Sequence, residues 1–212
     1  NLVSTVIKNW DNKTWLSSKD YIKSFILFLT KKVKLNSKSK ILDIGCGRGK
    51  ILGSLSSKLN LKKKPLGIDI INHKDKDKRI KFRKIDAVSF FSKNKDKFDL
   101  ILIKQTIHLL DLDKIKKLLT LSKKNLSSKG EIFIFTLETD NNHLPTFKLM
   151  KKKLIESLKR DKKILKIIKK LYPHSIKKKF IYKVKINKKN YLKMIQNRYI
   201  STLLPLPKKE LL

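Results

Sequence analysis

The chain has 212 residues, 40% of them hydrophobic, which suffices for one large domain with its own core and argues against wholesale disorder. Its 54 basic and 17 acidic residues give a formal charge of +37, a surface that would associate weakly with polyanions at low salt. The single cysteine, Cys46, excludes an intrachain disulfide and points to a reducing, cytoplasmic compartment, and apolar runs such as 25–29 and 100–103 fall far short of the ~20 residues a membrane helix needs.

Two readings of the charge stay open. Only five of the basic residues are Arg (Arg48, Arg79, Arg83, Arg160 and Arg198), Ala87 is the sole alanine, and Gly and Pro number 6 and 5. These four types use GC-rich codons, so their scarcity beside abundant Lys reads as coding bias. The other reading is a polyanion partner, although dedicated nucleic-acid readers favour Arg for bidentate contacts. Residues 1–10 lack the basic-then-apolar pattern of a secretory signal. Position 1 is Asn and the chain ends on Leu211-Leu212, so a fragment trimmed at one or both ends is expected.

In chain order, Ser18 is placed to cap an amphipathic helix over 19–33. Residues 40–45 read as a buried strand, and 50–61 as a helix with Ile51, Leu52, Leu55 and Leu59 at helical spacing. Short strands are predicted at 66–70 and 80–85. A near-continuous apolar strand at 98–103 suits a parallel sheet covered on both faces. A helix over 112–126, stopped by Ser127, Ser128, Lys129 and Gly130, precedes a strand at 131–137. Residues 143–171 read as mostly helical, 180–186 as a strand and 187–204 as a helix. The alternation predicts a doubly wound α/β fold.

Asp43-Ile44-Gly45-Cys46-Gly47-Arg48-Gly49 falls between a predicted strand and a predicted helix. A glycine turn there lets backbone approach a ligand, and the helix N-terminus favours its anionic groups. Dinucleotide binders would place the third glycine at position 50, which is Lys50; here it stands at Gly49. Asp69 ends the second strand, where an acid can accept ribose hydroxyls. Asp86 follows the third strand, residues 98–103 read FDLILI, and residues 126–135 read LSSKGEIFIF.

This ordered set resembles class I S-adenosylmethionine-dependent methyltransferases over roughly residues 38–137, most like their small-molecule, trans-aconitate-methyltransferase-like group. Lys129-Gly130 replaces that family's usual Gly-Gly pair. The resemblance implies a Rossmann-like, mainly parallel seven-stranded sheet with helices on both faces, an N-terminal helix and a C-terminal helical cover. It divides one domain into an N-terminal lid and helix (1–37), a cofactor core (38–140), and a cover with the last strand (141–212). It implies S-adenosylmethionine as cofactor, held by Asp43, Gly45, Cys46, Gly47, Gly49, Asp69, Ile70, Asp86, Ala87, Lys104 and Gln105, with Asp86 beside the adenine amino group.

His108 would then be a base or a substrate hydrogen-bonder, or a histidine that merely caps the loop. Trp10 and Trp15 would shape the acceptor pocket or pack in the core, and Arg198 would bind an acceptor carboxylate or make a surface ion pair. No metal site is expected. The expected partner is a small-molecule acceptor, anionic if Lys104 and Arg198 face it. The segment 104–108 (KQTIH) carries no Asp/Asn-Pro-Pro motif, no cysteine nucleophile and no strand-end acid, which argues against several nucleic-acid chemistries. An RNA- or protein-directed methyltransferase and a non-catalytic RNA-binding module on the same fold remain alternatives.

Overall fold

The computed structural model describes residues 18–104, 106–107, 110–136, 147–184 and 186–196. Helix α1 (Lys19–Lys32) starts where expected: Ser18 Oγ accepts the Tyr21 N–H at 3.2 Å. Asp20 in its first turn and Lys31 and Lys32 in its last complement the helix dipole. Strand β1 (Ile41–Ile44) is buried throughout and feeds α2 (Lys50–Leu59). Strands β2 (Leu66–Asp69) and β3 (Lys81–Lys84) follow, then a short helix α3 (Ala87–Lys93). Strand β4 (Phe98–Lys104), helix α4 (Leu112–Lys124) and strand β5 (Leu126–Phe135) complete the core. Helices α5 (Lys148–Leu171) and α6 (Lys188–Gln196) come last.

The sheet runs β3-β2-β1-β4-β5 with every pairing parallel. The chain steps outward from β1 to β3, then returns to the centre at β4. The order therefore reverses between β1 and β4, and a crevice opens at the carboxyl ends of these strands. Because strand side chains alternate, β1 sends Leu42 and Ile44 to one face and Ile41 and Asp43 to the other. On the first face, Ile101 and Ile103 of β4 pack with Phe90 and Phe91 of α3, Ile115, Leu118 and Leu119 of α4, and Ile164 of α5. On the second, Leu100 and Leu102 pack with Tyr21, Phe25 and Leu29 of α1 and Leu52 and Leu55 of α2.

Five strands, not seven, form the sheet among the described residues. The segment 180–186, expected as a strand, makes no ladder in the part described. Its alternation has another cause. Phe180 and Tyr182 turn inward onto α1, with ring centroids 5.2 Å from Phe28 and 5.3 Å from Tyr21, while Ile181 between them is 78% exposed. Aromatic packing thus satisfies the period-two pattern that a sheet edge would also satisfy. Helix α3 was not anticipated; Asp86 caps it by accepting the Ser89 N–H at 2.9 Å.

The register between β4 and β5 is interrupted: Leu126 faces Phe98, and pairing resumes with Glu131 opposite Leu100. At the interruption a side chain on Gly130 would lie 2.5 Å from the Phe98 carbonyl oxygen, so glycine is required there. No helix among the described residues is long and apolar enough to cross a membrane.

Candidate functional site

The turn after β1 lies at the reversal point. Gly45, Gly47 and Gly49 adopt φ of 73°, 56° and 75°, the left-handed region that side chains avoid. The Gly45 and Cys46 N–H groups both donate to the Ile68 carbonyl of β2, at 2.9 and 3.1 Å, and the Gly49 N–H closes a turn onto Cys46 O at 2.9 Å. Close packing requires two of the glycines as well. A Cβ on Gly45 would lie 2.4 Å from Thr106 Oγ1, and one on Gly49 would lie 2.2 Å from Ile80 Cδ1.

Asp69 at the end of β2 braces this turn. Its Oδ2 accepts the Gly47 N–H at 2.8 Å and its Oδ1 accepts the Ile71 N–H at 2.9 Å. A carboxylate offers about four lone-pair sites. Two are used here, and two remain for donors such as a vicinal diol. Ile70, 63% exposed, presents an apolar side chain immediately beyond. Asp86 and Ala87 stand at the start of α3, at the end of β3, on the same edge of the sheet. The capping bonds hold the Asp86 carboxyl below its ordinary range.

Asp43 differs. It is 4% exposed, and its Oδ1 is buried with no hydrogen-bond partner among the described residues. Burial pushes its carboxyl up to about 7, the Lys104 ammonium pulls the other way, and Asp69 adds to the rise. A buried carboxylate oxygen without a donor is costly and calls for a partner such as a water, an ion or a ligand. The donor set that fits is a cation or N–H arriving through the crevice. Cys46 supplies backbone to the turn; its thiol rests on Gly67, and burial raises its pKa so far that it stays protonated.

Lys104 ends β4 on the face that carries Asp43, and Thr106 follows it. The Thr106 hydroxyl donates to Lys104 O at 2.9 Å and to Ile44 O at 3.2 Å, tying β4 to β1 at the mouth of the crevice. Sequence reasoning passed over Thr106; the glycine at position 45, which makes room for it, was the available signal. Gln105, His108, Trp10, Trp15 and Arg198 lie outside the described residues.

The loop after β2 clasps α2. Asp77 N–H donates to Arg48 O at 2.8 Å, and Arg79 pairs with Asp77 at 2.6 Å while donating to Ser57 at 2.9 Å. Gly53 gives Asp77 room: a Cβ there would meet its carboxyl at 2.4 Å. The pairing holds the Asp77 carboxyl below the usual carboxylate range.

A doubly wound parallel sheet with a glycine turn at its reversal point defines a class of nucleotide-type binding folds. The family described as methyltransferase domain matches residues 35–198, and the chain belongs to it. Among solved structures, the plantazolicin methyltransferase BpumL, in complex with a pentazolic desmethylPZN analog and SAH, is similar at 21% identity over 96% of this chain and 85% of that one, with a TM-score of 0.54. The plantazolicin methyltransferase BamL, with a triazolic analog and SAH, is 19% identical over 80% of this chain and 67% of that one, with a TM-score of 0.59. The Burkholderia thailandensis 1,6-didemethyltoxoflavin-N1-methyltransferase is 17% identical over 66% of this chain and 63% of that one, with a TM-score of 0.50. No curated protein matches the chain significantly.

Proposed function

We propose that this chain transfers the methyl group of S-adenosylmethionine to a small-molecule acceptor, one carrying negative charge. The observation that carries the cofactor reading is the pairing of a glycine turn with two unlike carboxylates at the sheet's reversal point: Asp69 bonded and half-exposed, Asp43 buried with an unpartnered oxygen. The first suits a ribose, the second a cationic amino-acid end. Family membership supports methyl transfer, and three structurally similar proteins carry methyltransferase names, all three in complexes with S-adenosylhomocysteine (SAH).

In this reading Gly45, Cys46, Gly47 and Gly49 bring backbone against the cofactor. Asp69 accepts the ribose hydroxyls, Ile70 and Ala87 flank the adenine, and Asp86 accepts from its amino group. Asp43, with Lys104 and Gln105, serves the amino-acid end. A sulfonium supplies an already activated methyl group, so the chain's tasks are alignment and exclusion of water. His108 serves as base or hydrogen-bonder to the acceptor, while Trp10, Trp15 and Arg198 belong to the lid (1–37) and cover (141–212) around it. The cationic Arg198 of the cover supports the anionic acceptor.

Calorimetry with S-adenosylmethionine on wild type and Asp69→Ala tests the cofactor claim. Loss of two charge-assisted hydrogen bonds should weaken binding by about 100-fold. Equal affinities would remove Asp69 from the site. An electrophoretic shift with RNA that persists at physiological salt would overturn the small-molecule acceptor.

A further inference from the structure

Lys104 is held in an unusual way. Its ammonium lies 5.3 Å from the ring centroid of Tyr21, 5.6 Å from Phe25 and 5.7 Å from Phe135. Two of these rings belong to α1 and the third to the end of β5. The register explains the meeting: Asp43 is opposite Leu102, Leu102 opposite Phe133, and Lys104 opposite Phe135. With side chains alternating, Asp43, Leu102, Lys104, Phe133 and Phe135 share the face that α1 covers. Asp43 of β1 and Lys104 of β4 are charged members of that face, and the registers put Asp69 of β2 and Glu131 of β5 on it as well. Three ring faces give a cation a defined place without supplying a countercharge. The ammonium acts electrostatically on the buried Asp43 carboxylate and opposes the effect of its burial.

We propose that Lys104 is a positioning residue: the aromatic box of Tyr21, Phe25 and Phe135 fixes its ammonium on the face that carries Asp43, where its charge favours the ionised carboxylate for the cofactor's cationic end, and so couples the docking of α1 to cofactor binding. This rests on the cofactor reading above. The groups acting electrostatically on Asp43 are Lys104 from β4 and Asp69 from β2; the Cys46 thiol in the turn feels the field of both carboxylates and stays neutral. Tyr21 on α1 has its hydroxyl pushed well up by burial and stays neutral too. Lys104 is therefore the cation that offsets the burial of Asp43, and removing it should raise the Asp43 pKa.

The test has two arms on the whole chain. In the first, carboxyl-carbon NMR follows Asp43 in ligand-free wild type, Lys104→Met and Lys104→Arg. Lys104→Met should raise the Asp43 midpoint by about one unit, a tenfold change in its ionisation equilibrium, and Lys104→Arg should restore it. In the second arm, S-adenosylhomocysteine affinity is measured across pH. With a midpoint about one unit higher, Lys104→Met should bind about fivefold more weakly at pH 7 and about twofold at pH 8, since the deficit shrinks as Asp43 ionises. An unmoved Asp43 midpoint in folded Lys104→Met overturns the proposal. A moved midpoint with wild-type affinity at every pH overturns the coupling to the cofactor. Absence of binding by wild type itself overturns the cofactor reading, and leaves the NMR arm to decide the Lys104–Asp43 pairing.

Discussion

The two faces of the sheet are built on different rules. Beneath α3, α4 and α5 the contact is mostly apolar, with the buried Ser122 of α4 a polar exception: Leu42, Ile44, Ile101 and Ile103 meet Phe90, Phe91, Ile115, Leu118 and Leu119. Beneath α1 the same strands present Ile41, Leu100 and Leu102, but that row also includes a carboxylate and an ammonium among aromatic rings. A charge is removed from water only at considerable cost, even when paired. The first face stabilises the fold. The second gives up some of that stability to keep an unsatisfied acceptor at the mouth of the crevice.

Four substitutions break or sharpen this contrast. Asp43→Asn should have the largest effect, and its sign depends on pH. Asp43 titrates near 7 in the folded chain and near its ordinary value of 3.8 when unfolded, so the folded state binds the extra proton in between. Wild-type stability therefore falls as pH rises from about 4 to about 7. The stability of Asp43→Asn relative to wild type should rise by about 3–4 kcal/mol between pH 4 and pH 8, read by chemical denaturation at both pH values. Its cofactor affinity should drop at pH 8. A pH-independent difference would show that Asp43 is not buried as a carboxylate.

Leu118→Ala, on the apolar face, should cost about 3 kcal/mol at every pH, and the folded protein should keep its affinity for S-adenosylhomocysteine. An affinity loss as large as that of Asp43→Asn would erase the division between the faces. Gly45→Ala combines a left-handed φ with a close approach to Thr106. It should cost about 2 kcal/mol and also weaken cofactor binding, and pairing it with Thr106→Ser, which removes the crowding methyl, should recover part of the stability. The smallest effect belongs to Arg79→Ala. Its side chain is 45% exposed beside Asp77, so thermal melts should show a loss of at most about 1 kcal/mol.

Much of the fold was legible because it is coded locally. Strand β4 is a run of apolar residues, α4 repeats at helical spacing, and Ser18 precedes its helix as a cap should. The glycine turn was legible because its three left-handed positions leave little choice of residue. Residues 180–186 misled, since alternation is shared by a sheet edge and by an aromatic clasp, and only the neighbouring surface distinguishes them. Helix α3 escaped notice because seven residues carry too little periodicity.

The chain's pattern of short apolar strands, helical repeats and spaced glycines by itself determined a doubly wound parallel fold with a ligand turn after β1. These features follow from backbone sterics and from burial at fixed periods. Tertiary structure alone decided the company each charged side chain keeps: Asp69 with the Gly47 and Ile71 N–H groups, Asp43 with Lys104, and Lys104 with rings from α1 and β5. Those meetings join residues far apart in the chain. They are set by strand register and helix docking, and no local pattern encodes either.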